Sequence, residues 1–442
     1  MQPAMAKRSL LEQFLGTVTE VEPGEGPTAL LLTLNVFLLL TAYYVIKPVR
    51  EALILVMPSG AEYKSYLGGA IAVALLFAVP AYASAVKRFP RSKLVVGVTL
   101  FFASHLLLFY GLSHWESAKA YLGLFFFVWV GIFNMMVVAQ FWAFAADIYT
   151  VEKGKRLFAL LGVGASVGSA VGGLISKLLI GPLGTYNLLL IATLILGSCA
   201  LLTYVVDRRE ISRAPAEAPK AAEEPSKDGA FQLVFKHRYL TLIAAFSLLF
   251  TIVNSNGEYI LGSLVRSAAD AAVAAGTLAA DKKGEFIGGF YGDFFFVVNT
   301  GSMLLQTFVV SRLVKYGGMK WTFFTFPVIA LLDAAAIAVL PILAVTRWGK
   351  TAENAADYSI NNTARNMLWL PTTRQMKYVA KQAVDTFFVR MGDVSSALLV
   401  FAGAGLGWGV RSFALTNLVV VCVWLVLAVA IVREYQRLSR AP

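Results

Sequence analysis

Run after run of roughly 20 mainly apolar residues, parted by short charged segments, is the feature that most restricts what this chain can become. Backbone amides in hydrocarbon have no water to bond, so each run must satisfy its own N–H and C=O groups as a helix. The first set of runs covers Thr28 to Ile46, Tyr66 to Ala85, Leu94 to Leu112, Tyr121 to Ala146, Leu157 to Leu179 and Tyr186 to Val206. A second set covers Tyr239 to Leu261, Gly288 to Val310, Trp321 to Val345, Thr351 to Leu370, Ala383 to Leu406 and Phe413 to Val432. The tenth run, and the first half of the eleventh, are too polar for hydropathy alone to mark. They are counted because an even number keeps both termini on one side. With 58% hydrophobic and 14% charged residues and a mean hydropathy of +0.69, the 442-residue chain needs the bilayer as its solvent. The expectation is an all-α integral membrane protein with twelve transmembrane helices in two six-helix halves.

The segment between the two sets, 207–238, is rich in Pro, Ala and charge and cannot bury a core, so it reads as a disordered cytoplasmic linker. It separates six-helix bundles at 28–206 and 239–432, flanked by a cytoplasmic segment at 1–27 and a cytoplasmic tail at 433–442. The first apolar run has no small-residue cleavage site and is too long for a signal peptide, so it is expected to be retained. Met5 to Val18 reads either as an interfacial helix, with Leu10, Leu11, Phe14, Leu15 and Val18 on one side, or as a frayed tail. Cys199 and Cys422 lie inside apolar runs without metal-ligand spacing and read as core filler. No cofactor and no metal site is expected.

Net charge of +12 is carried mostly by the short connecting segments, which makes it a topology signal and not a nucleic-acid footprint. With the N-terminus in the cytoplasm, inside segments such as "KRFPRSK", "VEKGKR" and "SRLVKYGGMK" hold roughly 25 basic residues against about 8 outside. Six spans, a long loop and six more spans, with a basic loop between spans two and three, is the layout of major-facilitator transporters, whose halves are inverted three-helix repeats. Channels, receptors and membrane enzymes seldom share it.

Ionisable groups at bilayer depth cost several kcal/mol unless paired or hydrated, so each is a candidate. The first run ends in Lys47, Pro48, Arg50 and Glu51. Either the proline bends the helix and aims two cations inward to hold an anion, or the span stops near Ile46 and the charges snorkel at the surface. Asn134 and Gln140 in the fourth run serve either a ligand or a neighbouring helix. Gly164, Gly168 and Gly172 share one face of the fifth run and predict a close-packed helix seam; no phosphate loop is present, since no strand precedes them. Glu258 follows Asn254 and Asn256 in the seventh run and would bind a proton or pair with a cation of the other half. Asp293 lies near one end of the eighth run, while Asp333 sits mid-span in the ninth and suits a proton carrier or a packed acceptor. Asp357, Asn361 and Arg365 fall on one helix face at four-residue steps in the tenth run, which is tolerable only against water or protein. At the start of the eleventh come Asp385, Arg390 and Asp393, the last two spaced to neutralise each other. Three isolated histidines and no nucleophile beside a base argue against an enzyme.

Several polar stretches resemble the ATP/ADP translocase family of plastids and intracellular bacteria. They are "KPVREALIL", "FWAFAADIYTVEKGKRLFALLGVGAS", "FYGDF", "YSINNTARNMLWLP" and "AKQAVDTFFVRMGD". The resemblance implies a major-facilitator-like fold and nucleotide exchange, with Arg50 at a substrate-linked lysine position, Lys47 near a second basic one, and Glu258 at the family's glutamate. Two features depart. The family's Gly-Lys-Ser-Gly is here Gly392, Asp393, Val394 and Ser395, and a span-four acid is here Val130. The expected function is a secondary transporter moving a nucleotide or related anionic metabolite by alternating access. Lys47, Arg50, Asn134, Gln140, Glu258, Asn361, Arg365 and Arg390 would contact substrate; Glu51, Asp293, Asp333, Asp357, Asp385 and Asp393 would pair charges or couple. Counted within and beside the runs, cations are fewer than acids, which leaves a proton-coupled carrier of a non-nucleotide solute as an alternative. A non-transporting module that docks a partner through the linker is another. The expected partners are a small-molecule substrate and the lipid bilayer, with no nucleic acid. The expected state is a monomer in a bacterial inner membrane with both termini cytoplasmic.

Overall fold

A computed structural model describes residues 9–440 apart from 17–18, 150, 212–229, 374–375 and 377–379. Most of the expected linker lies outside the described residues. Among those described, every regular element is helical. The chain opens with α1 (Leu10–Leu15), α2 (Gly26–Leu55), α3 (Gly60–Arg88), α4 (Arg91–Leu112), α5 (Glu116–Phe133) and α6 (Ala139–Ile148). It continues through α7 (Val151–Leu183), α8 (Asn187–Ile211), α9 (Ala230–Lys236), α10 (Arg238–Ala274) and α11 (Lys283–Leu304). The last elements are α12 (Gly318–Val339), α13 (Leu343–Ala356), α14 (Asn362–Met367), α15 (Lys381–Ala383), α16 (Val389–Gly405) and α17 (Val410–Arg440). Among the described residues, π stretches interrupt or join them at Asn134–Val138, Leu305–Val310, Leu313–Gly317, Asp357–Asn361 and Val384–Phe388.

Ten helices among the described residues are long and apolar enough to cross a membrane. They match the expected runs except the second and the tenth. The second run falls in α3, which is 29 residues long. The tenth falls in α13, the π stretch after it and α14, where Lys350, Glu353, Asp357 and Arg365 keep the hydropathy low.

At the N-terminus, Ser9 and Glu12 form a capping box: the Ser9 N–H donates to Glu12 Oε2 at 2.7 Å and the Glu12 N–H to Ser9 Oγ at 3.3 Å. A third donor, the Gly24 N–H, reaches Glu12 Oε1 at 2.6 Å. The N–H groups of Ser9 and Gly24 hold this carboxyl below the usual carboxylate range. Of the stretch from Met5 to Val18, the helix Leu10–Leu15 is described and is pinned to the approach to α2, while 5–8 and 17–18 lie outside the described residues.

Contacts divide the chain into two units. The first holds Met1–Leu53, Leu75–Pro219 and Gly284–Phe296; the second holds Ile54–Ala74, Lys220–Lys283 and Val297–Pro442.

In the first unit, α7 bears glycines where other helices come close. A Cβ on Gly164, Gly168 or Gly172 would lie 2.7, 2.2 and 2.5 Å from the carbonyl oxygens of Thr33, Phe37 and Thr41 on α2. Thr41 Oγ1 also donates to the Gly168 carbonyl at 3.2 Å. The predicted seam is therefore a backbone-to-backbone contact. On another face, Gly173 meets the Phe296 backbone of α11 and Gly292 of α11 meets the Lys177 backbone. Phe102 and Phe109 of α4 pack on Phe126, Trp129 and Phe133 of α5.

The second unit is centred on Phe246 and Phe250 of α10, Phe323 and Phe326 of α12, and Trp424 of α17, which touch one another ring to ring. Leu194 in the first unit and Val426 in the second, each more than 70% exposed, show the outward apolar faces that a lipid solvent allows. Cys199 is buried, as expected. Cys422 is exposed on α17, so the core reading fails there, because the apolar outer face of a spanning helix looks in sequence like its inner one.

Candidate functional site

The first run does not stop at Ile46. α2 continues for two more turns through Pro48 to Leu55 and carries Lys47, Arg50 and Glu51 into the body of the first unit. Proline has no N–H, so the carbonyl four residues back, that of Tyr44, loses its helical donor. Ser176 of α7 covers the gap, with its hydroxyl 3.3 Å from the carbonyl oxygens of both Tyr44 and Val45.

Around this proline the cations lie against rings. The Lys47 ammonium is 4.0 Å from the centroid of Phe295, 5.3 Å from Tyr44 and 5.9 Å from Tyr43. The Arg50 guanidinium lies 4.7 Å from the Phe127 centroid. Its Nε donates to Glu51 Oε1 at 3.1 Å, and its Nη2 reaches the same oxygen. Glu51 is wholly buried, so Arg50 is fixed by a carboxylate that does not see solvent. Asn134 opens the π stretch of the fourth run, and Gln140 follows that stretch. Gln140 is 3% exposed, and neither amide atom has a hydrogen-bond partner among the described residues. Asp293 accepts an ion pair from Lys177 at 2.5 Å.

The second unit holds a denser network. Glu258 of α10 pairs with Lys64 of α3 at 3.3 Å and accepts from Asn354 Nδ2 at 3.1 Å. Of the two roles open to Glu258, the geometry shows the ion pair. Lys350 of α13 is fully buried, bonding Glu353 Oε2 at 3.1 Å and Asn254 Oδ1 at 3.2 Å. Asp333 reaches across from α12, its Oδ1 so close to Gly349 that an added Cβ would lie 1.7 Å away.

Asp357 and Asn361 both lie in a π stretch and bond each other at 2.7 Å. Arg365, expected beside them, faces Asp357, and it also bonds Asp385 at 3.3 Å and covers the Phe250 ring. Asp385 lies in another π stretch and also takes Lys381 at 3.2 Å. Arg390 and Asp393 pair at 2.8 Å, and Ser255 donates to Asp393 Oδ1 at 3.0 Å. Asn134, Asp357, Asn361 and Asp385 are thus all π-stretch residues, where an extra residue per turn re-aims side chains.

Lys64, Lys177, Lys350 and Glu353 escaped the sequence reading. Lys64 and Lys350 fell in presumed loops, because the apolar runs were drawn shorter than the helices. The Lys350 and Glu353 spacing of three was the available signal. Adding three lysines and one glutamate removes most of the apparent acidic excess. Among the described residues no group of three or more His, Cys, Asp or Glu could hold a metal ion.

The sequence profile described as Major Facilitator Superfamily matches residues 30–348. The chain is 21% identical to the ADP,ATP carrier protein 1 of Chlamydia trachomatis over 70% of its own length, and 22% identical to that of Chlamydia pneumoniae over 67%. It spans 64% of each, less than two thirds of these relatives' length. The nucleoside transporter NupG superposes with a TM-score of 0.64 at 11% identity, covering 94% of this chain and all of that one. The human organic anion transporter MFSD10 superposes at 0.56 and 14% identity, covering 92% of this chain and all of the other.

Proposed function

Since the chain belongs to the Major Facilitator Superfamily and is an integral membrane transporter with distant ADP,ATP carrier relatives, we propose that it moves a nucleotide or closely related phosphorylated anion by exchange through alternating access. One observation carries this reading: Lys47 and Arg50 stand one helical turn apart on α2, both laid on aromatic faces. A nucleotide offers the complementary pair, phosphate oxygens for the cations and a planar base for the rings. The names of the chlamydial relatives support the same substrate class. Glu51 orients Arg50, and Gln140 supplies an amide with bonding capacity to spare. The reading does not call on Arg365 and Arg390, which pair with Asp385 and Asp393 in the second unit. The same reading counts α3 and the polar stretch from α13 to α14 as spans, giving twelve. It places both termini in the cytoplasm of a bacterium, with the protein acting as a monomer in the inner membrane.

Labelled ATP uptake into proteoliposomes preloaded with ADP tests it. Arg50→Ala is expected to lower uptake at limiting ATP by about 30-fold or more, the cost of losing one desolvated charge contact of about 2 kcal/mol. Gel filtration should show the variant still folded. Unchanged uptake by the variant rejects the assigned role, and no nucleotide uptake by folded wild-type protein rejects the substrate class.

A further inference from the structure

The charge balance beside Lys350 does not close. Lys64 and Glu258 neutralise each other, but Lys350 stands against two carboxylates, Glu353 and Asp333, and all three groups are shielded from solvent. Glu353 is 3% exposed and Asp333 7%. Asp333 packs on Gly349, one helical turn before Glu353, so that the two carboxyls face each other. Glu353 gives one oxygen to Lys350, while its Oε1 and Asp333 Oδ1 have no donor among the described residues. Two ionised carboxylates at such a separation repel in a medium that screens poorly, and a buried unpaired charge costs several kcal/mol.

The surrounding charges do not relieve this. On α17, Arg411 donates to the Ala338 carbonyl at 2.8 Å. On the π stretch after α13, Asp357 bonds Asn361 and adds a further acidic group facing Lys350 and Glu353, while Arg365 of α14 faces Asp357 and takes Asp385. On α10, Arg266 pairs with Asp270 at 3.6 Å. On α13 itself Arg347 lies over the Trp348 ring, and Lys315 of the π stretch before α12 lies over Tyr316.

We propose that Asp333 and Glu353 share one exchangeable proton, so that the contact of α12 with α13 is a proton-binding site. A single proton bonded to one carboxyl and donated to the other satisfies both bare oxygens and brings the triad with Lys350 to neutrality. The pair is the unit that binds; the proton belongs to neither residue alone. Gly349 makes this possible, since any side chain there would hold the Asp333 carboxyl away from α13. The inference rests on the transporter fold and not on the nucleotide reading.

Infrared difference spectra of the purified protein in lipid, recorded across pH in H2O and D2O, test it. Wild-type protein is expected to show a carboxylic-acid C=O band that shifts in D2O, vanishes at high pH, and is absent from both Asp333→Asn and Glu353→Gln. Both substitutions keep side-chain volume, and gel filtration checks folding; should one fail to fold, the other and the wild-type titration still decide. No such band in folded wild type at any pH, or a band retained by both variants, overturns the proposal. Displacement of the band by sodium at constant pH, without a pH titration, also overturns it and assigns the pair to a metal cation. Nucleotide uptake does not enter this readout, so failure of the substrate reading leaves the spectrum unchanged.

Discussion

Lys350→Met is expected to destabilise the protein by about 3 to 5 kcal/mol, read as a large loss of thermal stability in detergent and of monodisperse protein. Methionine fills nearly the same volume, so packing changes little. The effect comes from charge. Glu353 loses the ammonium at 3.1 Å and is left buried beside Asp333, while Asn254 Oδ1 loses its donor. Adding Glu353→Gln in the same chain should restore a substantial part of the lost stability, because the orphaned charge is then gone. A Lys350→Met protein as stable as wild type would show that the triad does not contribute to the fold.

The second large effect is steric. Gly168→Val is expected to prevent α7 from seating on α2, since even its Cβ would sit 2.2 Å from the Phe37 carbonyl oxygen and 2.9 Å from its Cα. Those are backbone atoms of a packed helix and cannot rotate aside. Overpacking of this kind costs about 1 to 3 kcal/mol when side chains can yield, and more when they cannot. Gly162 on the same helix is the control: nothing lies within 4 Å of a Cβ there. Gly162→Ala should therefore be neutral or stabilising by about 0.5 kcal/mol through helix propensity. Equal stability of the Gly168→Val and Gly162→Ala proteins would dismiss the seam.

That seam was readable in advance because three glycines at four-residue spacing have one economical use in a spanning helix. Arg390 with Asp393 was readable for a similar reason: partners three residues apart on a helix meet whatever surrounds them. Long-range pairs were not. Nothing local to Glu258 names Lys64 or Asn354, and nothing near Asp333 names Glu353; those matches are made by packing. Hydropathy also misplaced the ends of spans. It ended the first run at Ile46 because Lys47 and Arg50 are charged, although Phe295 and Phe127 give both a place inside the unit. Arg365 was placed within reach of Asp357 and lies there, but its bond to Asp385, on a later element, is again made by packing.

The π stretch at Asp357–Asn361 has a mechanical meaning as well. It holds one residue more than the α-helical turn it replaces, and that surplus can travel along a helix by exchanging one hydrogen bond at a time. When it passes a residue, the segment behind it turns by about 100° and advances by about 1.5 Å. Arg365 stands four residues beyond the stretch, facing Asp385 in its present register. Travelling four residues onward, the surplus would pass Arg365 and swing it to a different neighbour without unwinding the helix, a ratchet with a short throw.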